Sequence, residues 1–329
     1  MSDHKYGVVA VGNALVDVLS QVPESFIESQ KPQGMEKGAM TLIDETRAVS
    51  LYTQMPKGLE TSGGSAANTM AGFASFGGQG AFIGKVADDE LGQVFSNDIK
   101  SLGVHYETPN LILGAPTGRC MILVTPDADR TMNTFLGASV ELKETDIDEN
   151  IISSAMVTYL EGYLFDRETA KKAFITAAEY AHKAGKKIAL TLSDPFCVDR
   201  HREDFRALVE NHVDILFANQ DELMSLYETD DFDTAITALG NNVDIAAITR
   251  SAKGAVIISE GQQIHVDAED VDNVIDTTGA GDQFAAGFLY GLTEGKSLEQ
   301  CGKLGSIAAG EVISHIGPRP AVKLSELAA

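Results

Sequence analysis

Short apolar runs punctuate the chain at Val8–Val11, Ala81–Ile83, Val157–Leu160, Ile188–Leu192, Ile215–Phe217 and Ile245–Ile248. Each is too short for a helix and has the length of a strand buried on both faces. Between most of them apolar residues recur at helical spacing, over Ala66–Phe76, Glu90–Leu102, Glu168–Ala184, Asp204–His212 and Asp233–Leu239. Strands alternating with helices predict an α/β protein with a parallel sheet covered on both faces. Two regions break the alternation. Residues from about 15–58 and 117–135 contain short, partly alternating segments such as RCMILVTP and RTMNTFLG, which could form a small sheet on one edge of the core. No repeat, low-complexity tract or linker is present, and the final KLSELAA reads as a short surface segment.

One helix begins unusually. Asp276–Asp282 reads DTTGAGD and runs straight into QFAAGFLYGL, where Phe284, Ala285, Phe288, Leu289 and Leu292 recur at helical spacing. Its first turn would leave the N–H groups of Gly279, Ala280 and Gly281 unbonded. With the positive end of the helix dipole behind them, such groups hold an anion such as a phosphoryl group in transfer. Asp282 would stand beside that charge and repel it, so it needs another purpose, and taking a proton from an attacking hydroxyl supplies one. A glycine-capped turn with an aspartate in the first helical turn has the same letters.

A second long pattern, GGSAANTMAGFASFG from Gly63 to Gly77, is followed by IGKVADDELGQ from Ile83 to Gln93. Together with DTTGAGDQFAAGF, and in this order, it resembles the two signatures of the PfkB, or ribokinase-like, family of sugar and nucleoside kinases. The resemblance extends from VGNALVD to HIGPRP and looks closest to the adenosine kinase-like branch. It implies a ribokinase-like three-layer α/β/α core with a mostly parallel central sheet, a single domain over 1–329, and a small β-sheet lid built from segments about 15–58 and 117–135. Such a lid would close over the substrate and exclude water. The resemblance further implies ATP and magnesium, and a monomer or a homodimer formed through the lid.

Composition narrows the partners. Lys plus Arg number 25 against 48 for Asp plus Glu, a net charge of −23, which opposes binding to nucleic acid or to an anionic membrane. A polyanion such as ATP would then need local neutralisation, from helix N-termini and magnesium. Cys120, Cys197 and Cys301 are widely spaced with no metal-like pattern, and no stretch has the length or order of a membrane span or signal peptide, so a reduced, cytoplasmic protein is expected.

At the substrate end, the Asp17 carboxylate can accept from two neighbouring hydroxyls of a sugar, Gly63 and Gly64 allow close backbone approach, and Asn68 offers both a donor and an acceptor. By resemblance Asp17, Gly64 and Asn68 match the family's sugar-hydroxyl contacts, with Asn13 joining them. Met40, Phe135, Tyr163 and Phe196 fall in segments that the family places around the substrate; an aromatic wall would stack a purine, and each could equally be core. SDPF at Ser193–Phe196 and EGYLF at Glu161–Phe165 resemble stretches of adenosine kinases, but Glu161 stands where a small residue is expected.

At the nucleotide end, Asn219–Glu222 reads NQDE after a strand, where the family organises magnesium through water; the same letters make a helix capping box. Thr249, Arg250 and Gly254 follow another strand, the expected place for nucleotide contacts, and Arg119 or Arg130 could clamp phosphate. Asp276, Thr278 and Ser314–Arg319 match positions where many family members bind a monovalent cation, here potassium.

The reading that follows is ATP-dependent phosphorylation of a primary hydroxyl of a nucleoside, most simply adenosine. The alternatives are a sugar kinase of the same family acting on fructose, ribose or a keto-deoxy sugar, and a non-catalytic nucleotide-binding regulatory protein. A dinucleotide fold is disfavoured because VGNALVD has one glycine where three are needed, and GLTEGKS lacks the spacing of a phosphate loop.

Overall fold

The computed structural model describes residues 4–127 and 129–328, with Asp166 described in its backbone only. The chain begins β1 (Tyr6–Val11), β2 (Leu15–Gln21), α1 (Glu24–Gln30), β3 (Met40–Leu42), α2 (Glu45–Gln54), β4 (Leu59–Gly63), α3 (Ser65–Ser75), β5 (Gly80–Ile83), α4 (Glu90–Ser101) and β6 (His105–Tyr106). It continues through β7 (Thr117–Val124), β8 (Arg130–Gly137), α5 (Glu149–Ser153), β9 (Ala155–Glu161), α6 (Glu168–Lys183), β10 (Lys187–Thr191), α7 (Pro195–Asn211), β11 (Ile215–Asn219) and α8 (Gln220–Tyr227). The last part holds α9 (Phe232–Leu239), β12 (Ile245–Thr249), β13 (Ala255–Ser259), β14 (Gln262–Val266), α10 (Ala280–Thr293), α11 (Leu298–Ile313) and α12 (Leu324–Leu327).

The large sheet has nine strands in the order β14-β13-β12-β11-β10-β9-β1-β5-β6. All its pairings from β6 to β12 are parallel, and β13 and β14 add an antiparallel edge. Alternate residues of each strand feed opposite layers. Val8, Ala10, Tyr159 and Phe217 pack with α3 and α10, whereas Val9, Val11, Leu160 and Leu216 pack with α6 to α9. Two-sided burial is why the strands read as unbroken apolar runs. Sheet and helices form the three-layer α/β/α core that the resemblance implies.

The second sheet has five strands in the order β3-β8-β7-β2-β4. It gathers the two regions that break the alternation, and adds β4, which lies just beyond the expected boundary at residue 58 and pairs antiparallel with β2. β4 reads LETSG and has no apolar run to announce it. One face of this sheet packs Val16, Val18, Met121, Leu123 and Phe135 into the core. The other presents Asp17, Cys120, Ile122, Met132 and Thr134 to a cavity.

Other elements differ in detail from the sequence pattern. α7 starts at Pro195, ahead of the expected Asp204, because Asp194 caps it through the Cys197 N–H, and a break in helical geometry at His201 hides the earlier turns from a periodicity reading. α12 is anchored: Leu324 is buried with Phe76, Leu304 and Ala308, so KLSELAA is not merely surface.

Candidate active site

Four neighbouring parallel strands end at one place. Glu161 closes β9, Thr191 β10, Asn219 β11 and Thr249 β12, and all four line a cavity of about 1340 Å³. Crevices at the carboxyl ends of parallel strands are where open α/β sheets bind ligands. The small sheet forms the facing wall.

α10 begins against this cavity. Gly279 is its N-cap, with φ 80°, and a Cβ there would lie 2.6 Å from the Pro318 carbonyl oxygen, so glycine is demanded on both counts. Gly281 differs: a Cβ there would meet nothing within 4 Å, because the position faces open cavity. The expectation for the three amides needs one correction. The Ala280 N–H donates to the Thr277 carbonyl at 3.2 Å, while those of Gly279 and Gly281 make no hydrogen bond among the described residues. The loop turns tightly enough to consume one donor internally.

Asp282 lies in the first turn of α10, half-buried and reached from the cavity. Ser65 Oγ donates to its Oδ1 at 2.5 Å and Asn68 Nδ2 to its Oδ2 at 3.3 Å. Burial pushes its pKa up to about 7, against the pull of those two hydrogen bonds, and the nearby Asp17 charge adds to the rise. Asp17, on β2, is raised to about 6 by burial, with Arg319 and Arg130 drawing it back. A Cβ on Gly63 would fall 2.3 Å from the Asp17 carboxyl, and one on Gly64, whose φ is 99°, would fall 2.2 Å from the Asn13 carbonyl oxygen. These glycines let the start of α3 close against both residues.

Arg319 is the residue that sequence reasoning left among possible cation contacts. Its Nε donates to Asn68 Oδ1 at 3.1 Å, one terminal nitrogen pairs with Asp98 at 2.9 Å, and the other donates to the Ser62 backbone and hydroxyl. It fixes the amide that holds Asp282. Ser65 was also missed as a partner of Asp282, although it lies inside the GGSAAN pattern.

Asn13 is not the free substrate group expected. Its Nδ2 donates to Glu161 at 2.7 Å, and its Oδ1 accepts from Ser139 at 2.8 Å. Phe135 is also corrected. On β8 it points into the core, whereas its neighbours Thr134 and Leu136 line the cavity, as strand alternation requires. Tyr163, with its hydroxyl donating to the Ser193 carbonyl at 3.2 Å, and the 76% exposed Phe196 supply the aromatic surface instead, and Met40 lies on the cavity wall too.

Asn219 and Glu222 form a full capping box. The Glu222 N–H donates to Asn219 Oδ1 at 2.8 Å, and the Glu222 carboxylate accepts from the Asn219 N–H at 2.9 Å and from its Nδ2 at 2.7 Å. Both line the cavity, and burial raises Glu222 to about 7. Thr249 and Gly254 line it as well; at Gly254, φ is 75° and a Cβ would sit 2.0 Å from the Val266 carbonyl oxygen.

Asp276 accepts from the Thr278 N–H and hydroxyl at 3.1 and 2.7 Å and from the Gly317 N–H at 3.0 Å. The cation beside it is a side chain: the Arg130 guanidinium lies 2.5 Å away, both partners being at least nine-tenths buried. The carboxylate expected to hold potassium is therefore already matched. A second terminal nitrogen of Arg130 is buried with no hydrogen-bond partner among the described residues. Arg119 does not join it, since its guanidinium stacks on Tyr52 away from the cavity.

A deep carboxylate beside unbonded amides at a helix start, on this fold, defines a kinase of the ribokinase-like class. The chain belongs to the pfkB family of carbohydrate kinases, whose family profile matches residues 39–324. It is an ATP-dependent kinase with an alcohol acceptor, which removes the non-catalytic reading. The adenosine kinase of Sinorhizobium meliloti is 49% identical, with 98% of each chain covered and a TM-score of 0.90. A probable sugar kinase from Rhizobium etli CFN 42 is also 49% identical, with 99% of this chain and 98% of that one covered and a TM-score of 0.90. The 5-dehydro-2-deoxygluconokinase of Bacillus subtilis is 26% identical over 332 residues, covering 98% of this chain and 94% of its own. Among the described residues no helix is long and apolar enough to cross a membrane.

Proposed function

We propose that this kinase transfers the γ-phosphoryl group of ATP to the primary hydroxyl of a nucleoside, with adenosine giving AMP, in the cytoplasm. The observation that carries the chemistry is Asp282, held by Ser65 and Asn68 in the first turn of α10, one residue from the unbonded Gly281 amide. Its carboxylate takes the hydroxyl proton, and its raised pKa of about 7 suits a base working near neutrality. The amides of Gly279 and Gly281 stabilise charge on the transferring group, with the Ala280 segment shaping the turn. Asp17 and Asn68 bind sugar hydroxyls, and Gly63 and Gly64 let them approach. Tyr163 and Phe196 offer stacking area for a base, which favours a nucleoside over a plain sugar.

Thr249 and Gly254 contact the nucleotide. Asn219 and Glu222 set oxygens on the cavity wall, donors that suit a hard ion shared with nucleotide phosphates and water. Asn219 and Glu222 would contact magnesium through that water, and the ion would neutralise phosphate charge. The likeness to the Sinorhizobium meliloti adenosine kinase supports the substrate. The equal identity to a probable sugar kinase keeps fructose, ribose and a keto-deoxy sugar as the second reading. ADP release measured with ATP, magnesium and each acceptor in turn separates them. Turnover of adenosine above every sugar is expected; a sugar turned over while adenosine is ignored would replace the substrate.

A further inference from the structure

We propose that Glu161 is a specificity-determining residue: a built-in carboxylate that fills the ready-made anion site at the acceptor end of the cavity and confines the acceptor to uncharged polyols. This rests on the kinase reading above.

Glu161 ends β9 on the cavity wall, and its side chain is surrounded by donors. The Asn13 N–H and Nδ2 reach it at 3.3 and 2.7 Å, and the Ala66 N–H at 2.8 Å. Ala66 lies in the first turn of α3, whose N-cap, Gly64, has no side chain to cap with. Glu161 supplies that cap from another strand. The fit is close, since a Cβ on Gly12 would lie 2.4 Å from Glu161 Oε2. Without the Glu161 carboxylate, the Ala66 N–H at the start of α3 and two donors of Asn13 would face the acceptor end, an arrangement suited to the carboxylate or phosphate of an acidic acceptor. With it, the donors are taken.

The surrounding charge acts in the same sense. Three carboxylates converge on the Gly63–Asn68 turn: Glu161 through Ala66, Asp282 through Ser65 and Asn68, and Asp17 against Gly63. The nearby cations are committed elsewhere, Arg319 to Ser62, Asp98 and Asn68, and Arg130 to Asp276. Among the described residues Arg200 of α7 is the one basic side chain on the cavity wall. Above about pH 7, where all three carboxyls are ionised, an acidic acceptor would meet repulsion on three sides and find its donors occupied.

The test compares kcat/KM for adenosine and ribose with kcat/KM for a keto-deoxy sugar acid, in wild type, Glu161→Gln and Glu161→Ala. Wild type is expected to prefer the uncharged acceptors by at least about 10²-fold, the scale of a close like-charge contact. Glu161→Ala should narrow that preference at least about tenfold, and added formate should restore it by refilling the donor site. A purely structural role would lower kcat/KM for charged and uncharged acceptors alike and leave their ratio unchanged. Should Glu161→Ala fail to melt cooperatively, Glu161→Gln, which keeps the shape but sets an amide N–H against donors, should narrow the preference in its place. Wild type that uses the acid as well as the uncharged acceptors, or variants with an unchanged preference, would overturn this inference and leave the kinase standing. Wild type without turnover on any acceptor would overturn the proposed function and this inference with it.

Discussion

The two ends of the cavity are built from different materials. At the proposed acceptor end, side chains interlock: Asn13, Glu161, Ser65, Asn68 and Arg319 are hydrogen-bonded to one another or to Asp282 over large sequence separations, and Asp17 lies against Gly63. At the nucleotide end the wall is strand termini, a local capping box and glycines with positive φ. Backbone geometry can present amides to phosphates whatever the acceptor, whereas discrimination among polyols needs placed side chains. Changes at the acceptor end should therefore alter what reacts, and changes at the nucleotide end mainly how tightly the donor is held.

The largest test of that contrast is Asp282→Asn, which should lower kcat by about 10² or more while leaving the affinity for a non-hydrolysable ATP analogue near wild type, read by calorimetry. Near-normal turnover in the folded variant would remove its role as base. The two glycines before it should part company. Gly281→Ala places a methyl in open cavity and should reduce turnover with an unchanged melting temperature. Gly279→Ala strains a left-handed turn against Pro318 and should cost about 1–3 kcal/mol of stability in a denaturant titration. Equal stability of the two variants would contradict the division.

Changing pH reaches the acceptor end first, where Asp17, Glu161 and Asp282 have folded-state pKa values raised to about 6, 7 and 7, with Glu222 at about 7 on the other side. All four lie above their ordinary values of 3.8 to 4.5, so the folded chain binds these protons more tightly than the unfolded chain. Their stabilising contribution is greatest in the acid form and declines as the pH rises, the loss being complete above about 7. The melting temperature of the ligand-free protein should fall between about pH 4 and about pH 7, while kcat/KM rises through the shared titration of the set. A melting temperature that climbs over this interval would show that these groups are not buried as described. The smallest effect belongs to Asn219→Ala, which loses the capping box at about 1 kcal/mol and weakens ATP affinity without changing acceptor preference.

The large sheet was legible because burial on both faces writes strands as apolar runs, and all six such runs are strands. β13 and β14 escaped, since AVIIS and QQIHV form an antiparallel hairpin outside the alternation with helices. The start of α10 was legible because glycine and aspartate chemistry is local to DTTGAGD. What holds Asp282 was not, because Ser65 lies 217 positions away and Arg319 acts through Asn68. Phe135 was misplaced because aromatic character does not reveal which face of a strand a residue occupies, whereas counting from Thr134 would have done so. The bonding of Asn13 was hidden behind Glu161, whose departure from the expected small residue was visible but whose partners were not.

The Arg130–Asp276 pair joins the tip of the small sheet to the segment leading into α10. Any swing of that sheet away from the core would strip a counterion from Asp276 and leave the Thr278 and Gly317 contacts to hold an uncompensated carboxylate. Were the small sheet to move, admission of ligand and the shape of the turn before α10 would be coupled through this one ion pair.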